Sequence, residues 1–373
     1  MARKRQTEPR PAPVDLLSLA ECVERFEGKR VVVLGDFVAD SFQSGDITRV
    51  SREAPVLILR HRETHIVPGG AANAANNLAA LGARIIPVSV VGDDSAGHEL
   101  IAYFRAKKVD VSAVLRLRGY QTPTKTRFLA GWTHTVGQQV LRVDYEPRVP
   151  LDAAQVRKVQ SLLNVKLKSA DALAISDYGF GVVSPEVVRT ATAIAPRNIP
   201  IGLDSRYRLM DYMRTGVTTT TPNEAELEAA HHTVIGNDSK ELERCGRSTL
   251  KSMGLRSLVV TRGRHGMALF QSGEKTIHLP VHGSDQAVDV TGAGDTVLAA
   301  YTLALAASAS SLEAAHIANI AGGLVVMKRG TATVSREELL HAIHGKGAFR
   351  MFKDALQRHL ASNQPGSIFV RKR

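Results

Sequence analysis

Short apolar runs that end on a polar or acidic residue recur along the chain. The run 31–34 leads into Gly35-Asp36, 85–91 into Gly92-Asp93-Asp94, and 172–175 into Ser176-Asp177. The run 199–203 leads into Asp204, and 257–260 into Thr261-Arg262-Gly263. Stretches of helical periodicity lie between them, at 71–81, 151–167 and 185–194. Continuous apolar strands alternating with helices predict an α/β fold, a mostly parallel sheet flanked by helices on both faces. In such sheets ligands sit outside the carboxyl ends of the strands. The Asp residues named above fall at those ends.

Two segments break the alternation, about 42–67 and 121–146. Both are rich in β-branched residues and carry no helical period. They predict a small antiparallel sheet inserted in the main domain as a lid over the site. The body reads as one domain from 14 to 345, with a basic tail at 1–13 and a basic extension at 346–373. Residues 349–360 have the pattern of an amphipathic helix.

Composition narrows this picture. The chain has 373 residues, 44% of them hydrophobic, enough for a substantial core. No run approaches the roughly 18 apolar residues of a membrane span. The basic N-terminus has no apolar stretch behind it, so it is not a secretory signal. Cys22 and Cys245 lack metal-site spacing and read as reduced thiols of a cytoplasmic protein. The net charge of +12 raises nucleic-acid binding, but the tails hold most of it. Arg3, Lys4, Arg5 and Arg10 oppose only Glu8, and seven cations beyond position 345 oppose only Asp354. Basic tails are commonly solvating segments, so a nucleic-acid partner is not expected. His65, His134 and His265 share no ligand spacing, and Trp132 falls in the lid.

The chemistry lies in Asp289-Val290-Thr291-Gly292-Ala293-Gly294-Asp295, followed by an apolar helical run to 306. The glycine-rich turn therefore opens a helix. There the unpaired N–H groups and the helix dipole make an anion site. Glycines let the backbone approach a phosphate closely. Asp295 beside it is a candidate base for an attacking hydroxyl, while the amides stabilise charge on a moving phosphoryl group. The plainer reading is a glycine turn with Asp in the first helical turn. No Walker A loop and no dinucleotide fingerprint occurs.

That string resembles the C-terminal signature of the ribokinase-like (PfkB) carbohydrate kinases. Their N-terminal signature is matched by Pro68-Gly69-Gly70-Ala71-Ala72-Asn73-Ala74-Ala75. Asn223-Glu224-Ala225-Glu226 resembles the family's N-x-x-E motif, and Thr261-Arg262-Gly263-Arg264-His265-Gly266 its T-x-G-x-x-G stretch. The resemblance runs from about 31 to 335. It implies a ribokinase-like, Rossmann-type α/β core with a small β-sheet lid, and a kinase using ATP and Mg²⁺, with Asp295 as base and Gly292, Ala293 and Gly294 as the anion hole. It implies nucleotide contacts at Asn223, Glu226, Thr261, Gly263, Gly266, Thr291 and Asn319, with Glu226 near Mg²⁺ through water. Some members bind a monovalent cation such as K⁺ beside the loop, and many dimerise through the lid.

Within that family the chain resembles the heptose 7-phosphate kinases of lipopolysaccharide-core synthesis. The matching stretches are Gly35-Asp36-Phe37-Val38-Ala39-Asp40, Ser51-Arg52-Glu53-Ala54-Pro55, Lys125-Thr126-Arg127, Leu141-Arg142-Val143-Asp144 and Gly330-Thr331-Ala332-Thr333-Val334-Ser335. Asp36, Asp40, Gly69, Gly70, Asn73 and Asp177 are the expected sugar contacts. Lys125 and Arg127, alternating to one face of a strand, are the expected contacts to the distal phosphate, and Arg142 is a further expected substrate contact. Two positions depart from the pattern. Phe180 stands for a lysine in D-Y-x-K-G, and Ser205-Arg206 for Pro-Lys in D-P-K-G. Arg is not equivalent to Lys at a phosphate. The lead expectation is phosphorylation of the anomeric hydroxyl of D-glycero-D-manno-heptose 7-phosphate. The alternatives are a kinase for ribose, fructose or adenosine, and a non-catalytic binding relative.

Overall fold

The computed structural model describes residues 14–131, 138–284 and 286–345. Strand β1 (Arg30–Gly35) sends Val31 and Val33 into one core and Val32 and Leu34 into another. Covered on both faces, it has no polar side, which is why it reads as a continuous apolar run. To one side lie β4 (Arg84–Gly92) and β5 (Val114–Leu117). To the other lie β8 (Ala172–Asp177), β9 (Ile201–Ser205), β10 (Thr219–Thr220) and β11 (Ser257–Thr261), all parallel. Two antiparallel strands, β12 (Met267–Gln271) and β13 (Ile277–Leu279), finish the nine-stranded sheet.

Helices α1 (Leu16–Glu24), α2 (Ala71–Ala80), α3 (Ser95–Ala106), α8 (Ala293–Ala306) and α9 (Ser311–Val325) build the core on one face. Helices α4 (Ala153–Lys166), α5 (Pro185–Ile194), α6 (Glu224–His231) and α7 (Ser239–Met253) build the other. The strand order reverses between β1 and β8. A crevice opens at the carboxyl ends there. Helix α8 lies against β8 and β9 and is buried from Asp295 through Ala304. An apolar helix of that kind belongs inside a domain. It approaches β9 closely at Gly202, where a Cβ would overlap the Thr302 hydroxyl.

The lid sheet runs in the order β3-β2-β6-β7, from β2 (Phe37–Val50), β3 (Leu57–Gly70), β6 (Thr124–Gly131) and β7 (Gln138–Tyr145). Here the antiparallel expectation needs correcting. The hairpin pairs are antiparallel, but the central pair, β2 with β6, is parallel. Strand β2 continues from β1 after Asp36, and β6 enters after Thr122-Pro123. Both leave the same end of the large sheet, so they run the same way. The Ala39 N–H donates to the Pro123 carbonyl at 2.8 Å where the two strands meet. Asp94 fixes that entry. It caps α3 and accepts from the Thr122 N–H at 2.8 Å and hydroxyl at 2.7 Å.

Residues 336–345 form a last helical run. Both cysteines are buried and free, and His65 and His265 are exposed. No helix among the described residues is long and apolar enough to cross a membrane. Trp132, His134, the tail 1–13 and the segment 349–360 lie outside the described residues.

Candidate active site

Gly292 caps α8 in the left-handed region, φ 78°, and no side chain caps the helix. The position has no room for a Cβ, which would overlap Asn73 Nδ2. Glycine is thus required twice, for conformation and for space. The first-turn N–H groups are left facing a cavity of about 630 Å³, lined by Gly292, Gly294 and Asp295. A Cβ on Gly294 would meet only Asp204, at 3.6 Å, so no packing reason excludes alanine there. Asp289 holds the approach to this helix. Its carboxylate accepts from the Thr291 and Gly330 N–H groups, each at 2.9 Å.

Asp295 is 3% exposed. The Asn73 side-chain amide donates to Oδ2 at 2.9 Å, and the Tyr178 hydroxyl lies 3.2 and 3.3 Å from its two oxygens. Burial raises its pKa to about 7, although the bonds from Asn73 and Tyr178 favour the ionised form. Asn73 is itself gripped by Asn77, which donates to the Asn73 carbonyl and Oδ1, and Thr296 donates to Asn77 at 3.0 Å. Helix α2 thus holds the base of α8 through a closed polar network.

Several expected sugar contacts have other partners. Asn73 meets Asp295 and does not line the cavity. Asp36 accepts from three backbone N–H groups, of Tyr178 at 2.9 Å, Phe180 at 3.2 Å and Val182 at 3.0 Å. Its carboxylate shapes the loop after β8 and lies off the cavity wall. Asp177 lines the cavity, but Tyr212 at 2.6 Å, Ser205 at 2.8 Å and the Gly179 N–H at 2.9 Å occupy it. Gly69 makes room for the Asp40 carboxylate, which a Cβ would overlap. Gly70, with φ 55°, does line the cavity.

The lid residues Asp40, Lys125, Arg127 and Arg142 converge on the same cavity. Arg127 is tied to Asp40 at 2.5 Å, and the Thr331 hydroxyl donates to Asp40 at 3.1 Å. Arg142 forks onto Asp144. Lys125 and Arg206 have no ion pair among the described residues. They lie over the Tyr178 ring, at 4.9 and 6.0 Å from its centroid. Burial lowers the Lys125 pKa, and the charges of Arg206 and Arg142 lower it further. A side recess of about 360 Å³ continues past Lys125, Arg142, Arg148, Phe180 and Tyr207.

Sequence reading passed over Asp204 and Tyr178. Asp204 is the next-to-last residue of β9 and lines the cavity; its carboxylate has no hydrogen bond among the described residues and lies beside Glu226 and Asp295. Burial pushes its pKa up, and the charges of Glu226 and Asp295 add to this. Glu226 also rises through burial, although it accepts from the Asn223 N–H at 2.9 Å. Two carboxylates facing one space at that cost fit a divalent cation. Among the described residues no cluster of three or more acidic, His or Cys side chains surrounds such an ion. The signal for Asp204 was its place at a strand end; for Tyr178 it was the D-Y-x-K-G match.

A second cavity, of about 380 Å³, joins the first at Asn223, Val290 and Gly294. Its walls are more apolar, with Met267, Val281, Ala287, Val297 and Val326 beside Thr261, Gly263 and Gly266. Asn319 reaches this wall and donates to the Pro280 carbonyl at 2.8 Å, which holds the loop after β13.

An α/β phosphotransferase is the class this geometry suits, with an uncapped helix start between two connected cavities. The chain matches the family described as pfkB family carbohydrate kinase over residues 29–338. It is 38% identical over 351 residues to the bifunctional protein HldE of Mesorhizobium japonicum, covering 93% of this chain and 68% of the relative. The HldE of a Caulobacter species is 39% identical over 334 residues, covering 89% and 66%. The chain spans about two thirds of the length of these relatives. Phosphofructokinase-2 from Escherichia coli with substrates and products has a TM-score of 0.68 at 20% identity, covering 85% of this chain and 98% of that one. The Arabidopsis thaliana ribokinase complexed with ribose and ATP gives 0.63 at 20% identity, covering 85% and 99%. These two likenesses concern the fold. The chain belongs to the pfkB family of carbohydrate kinases, and it is an ATP-dependent sugar kinase.

The raised pKa of Asp295 has a stability consequence. A carboxyl with a folded pKa above its unfolded value stabilises the fold below about pH 4 and loses that contribution as pH rises through about 7. Asp295→Asn removes the buried charge and keeps an acceptor for Asn73. The variant is expected to be more stable than the parent at pH 8, by on the order of 1–3 kcal/mol, with the gap narrowing at pH 5. Urea titrations at the two pH values measure this, and equal stability at pH 8 contradicts it. Tyr178→Phe removes a bond to the ionised form, so the Asp295 pKa is expected to rise above its parent value. Carboxyl-carbon NMR titration reads that shift directly.

Proposed function

We propose that the chain transfers the γ-phosphate of ATP to the anomeric hydroxyl of D-glycero-D-manno-heptose 7-phosphate, giving the 1,7-bisphosphate. The carrying observation is Asp295, a buried carboxylate at an uncapped helix start, where an apolar cavity meets one bounded by free cations. The apolar cavity suits the adenine and ribose. The first turn of α8 suits the transferring phosphoryl group. Asp295 accepts the proton of the attacking hydroxyl. The acceptor oxygen bonds to the γ-phosphorus as the bond to the β,γ-bridging oxygen breaks, and ADP leaves. The Gly292, Ala293 and Gly294 backbone steadies the charge that develops.

Asp204 and Glu226 would hold Mg²⁺, Glu226 through water. The ion supplies neutralisation of the triphosphate charge. A potassium complex of Escherichia coli phosphofructokinase-2 supports a monovalent cation beside the glycine string 289–295 as part of this reading. The cations Lys125 and Arg206, which have no ion pair among the described residues, favour an acceptor that itself carries a phosphate. A second reading, an acceptor without that phosphate such as ribose, fructose or adenosine, is favoured by Phe180, an apolar ring in the side recess.

An acceptor panel under Mg·ATP separates these readings. Turnover is expected on heptose 7-phosphate, and turnover confined to ribose, fructose or adenosine sinks the lead. Arg206→Ala is expected to raise KM for the phosphorylated acceptor roughly tenfold, with KM for ATP little changed. Asp295→Asn is expected to lower kcat by about 10²-fold or more. The parent's kcat/KM is expected to rise with pH through about 7, since Asp295 must be ionised to act.

A homodimer through the lid is also proposed. Val50, Leu57, Leu141 and Tyr145 leave apolar surface exposed on its strands. Sedimentation velocity is expected to give a dimer, and Leu141→Asp a monomer. A monomeric parent at micromolar concentration rules the dimer out.

A further inference from the structure

At the end of the sheet away from Asp295, the first residues of β1 and β4 stand side by side, Arg30 against Arg84. Alternation puts both on the face that carries Val32 and Ile86. Like charges directly opposite on neighbouring strands destabilise a sheet. Neither arginine has an ion-pair partner among the described residues. The Nε of Arg30 is buried with no hydrogen-bond partner. The nearby Asp171 carboxylate is engaged by the Arg30 backbone N–H at 2.8 Å.

The two arginines border a cavity of about 490 Å³ that also touches Lys107, Lys108 and Lys166. One carboxylate, Asp110, lines it, and Lys166 pairs with that group at 3.0 Å. Lys107 donates to Asn76 at 2.8 Å and lies over the Tyr103 ring. Lysines at helix carboxyl ends suit the helix dipole, which accounts for the three lysines. It does not account for Arg30 and Arg84, which begin strands.

We propose that this cavity is a second anion site, which takes a small molecule carrying a phosphate or pyrophosphate group. Arg30 and Arg84 offer planar donor groups to it, and Lys108 adds charge at the rim. The volume lies in the range of small-ligand sites. Strand β1 separates it from the catalytic end by its six residues, roughly 20 Å. The site is therefore distinct from the acceptor and nucleotide cavities and does not depend on how those are read.

The test titrates pyrophosphate into the 373-residue chain by calorimetry, comparing the parent with Arg84→Gln and Lys108→Gln. Both positions are exposed, so both variants are expected to fold. The parent is expected to show two classes of site. Each variant is expected to weaken one class at least tenfold, with the other class and kcat/KM in phosphate-free buffer within about twofold of the parent. Inorganic phosphate, a sugar monophosphate and AMP as competitors rank the sources of the anion. No class weakened in either variant, or an equal loss in the remote surface variant Lys240→Gln, overturns the proposal. So does displacement of pyrophosphate by a short DNA duplex at equal phosphate concentration, which would make the surface a nucleic-acid contact.

Discussion

A carboxylate buried at the start of an apolar helix is the constraint on which the rest of this structure depends. Raising the Asp295 pKa to about 7 corresponds to roughly 4 kcal/mol of disfavoured charge at neutral pH. Such a group persists only if its surroundings are fixed. The Asn77–Asn73–Asp295 chain, closed by Thr296, ties α2 to α8, and Tyr178 ties the loop after β8 to the same oxygens. Asp36 then fixes that loop through three backbone N–H groups. The elements that meet at the crevice are thus joined by polar bonds, while apolar packing holds them elsewhere.

Much of the fold was legible in the sequence. Buried parallel strands leave continuous apolar runs, and α5 lies where its period placed it, at 185–194. The glycine string located the helix start because a left-handed cap against Asn73 tolerates no side chain. The direction of the central lid pair was not legible, since β-branched runs look alike whichever way they run. The bonds that Asp36, Asn73 and Asp177 make within the protein were also not legible. A motif marks a residue type that the site needs, not whether it meets the ligand or the backbone behind it. Each of these three is nearly fully buried and has its bonds within the protein. Asp204 shows the converse. Its neighbours depart from the family pattern, yet its carboxylate is among the few at the site still open to a cation.

The charge layout bears on the two lysines this chain lacks. Phosphate recognition needs positive charge near the acceptor end, and it tolerates several ways of supplying it. Arg127 is neutralised by Asp40, and Arg142 by Asp144. That leaves Lys125 and Arg206, both stacked on Tyr178, as the free cations of the main cavity among the described residues. Tyr178 therefore carries Lys125 and Arg206 on its ring and Asp295 on its hydroxyl. An anion drawn between Lys125 and Arg206 would relieve their mutual repulsion. It would also press on the side chain that holds Asp295. In the proposed reading, acceptor charge and the proton-accepting group are linked through one aromatic ring. Tyr178→Phe, which keeps the ring and removes the bond, separates the two effects.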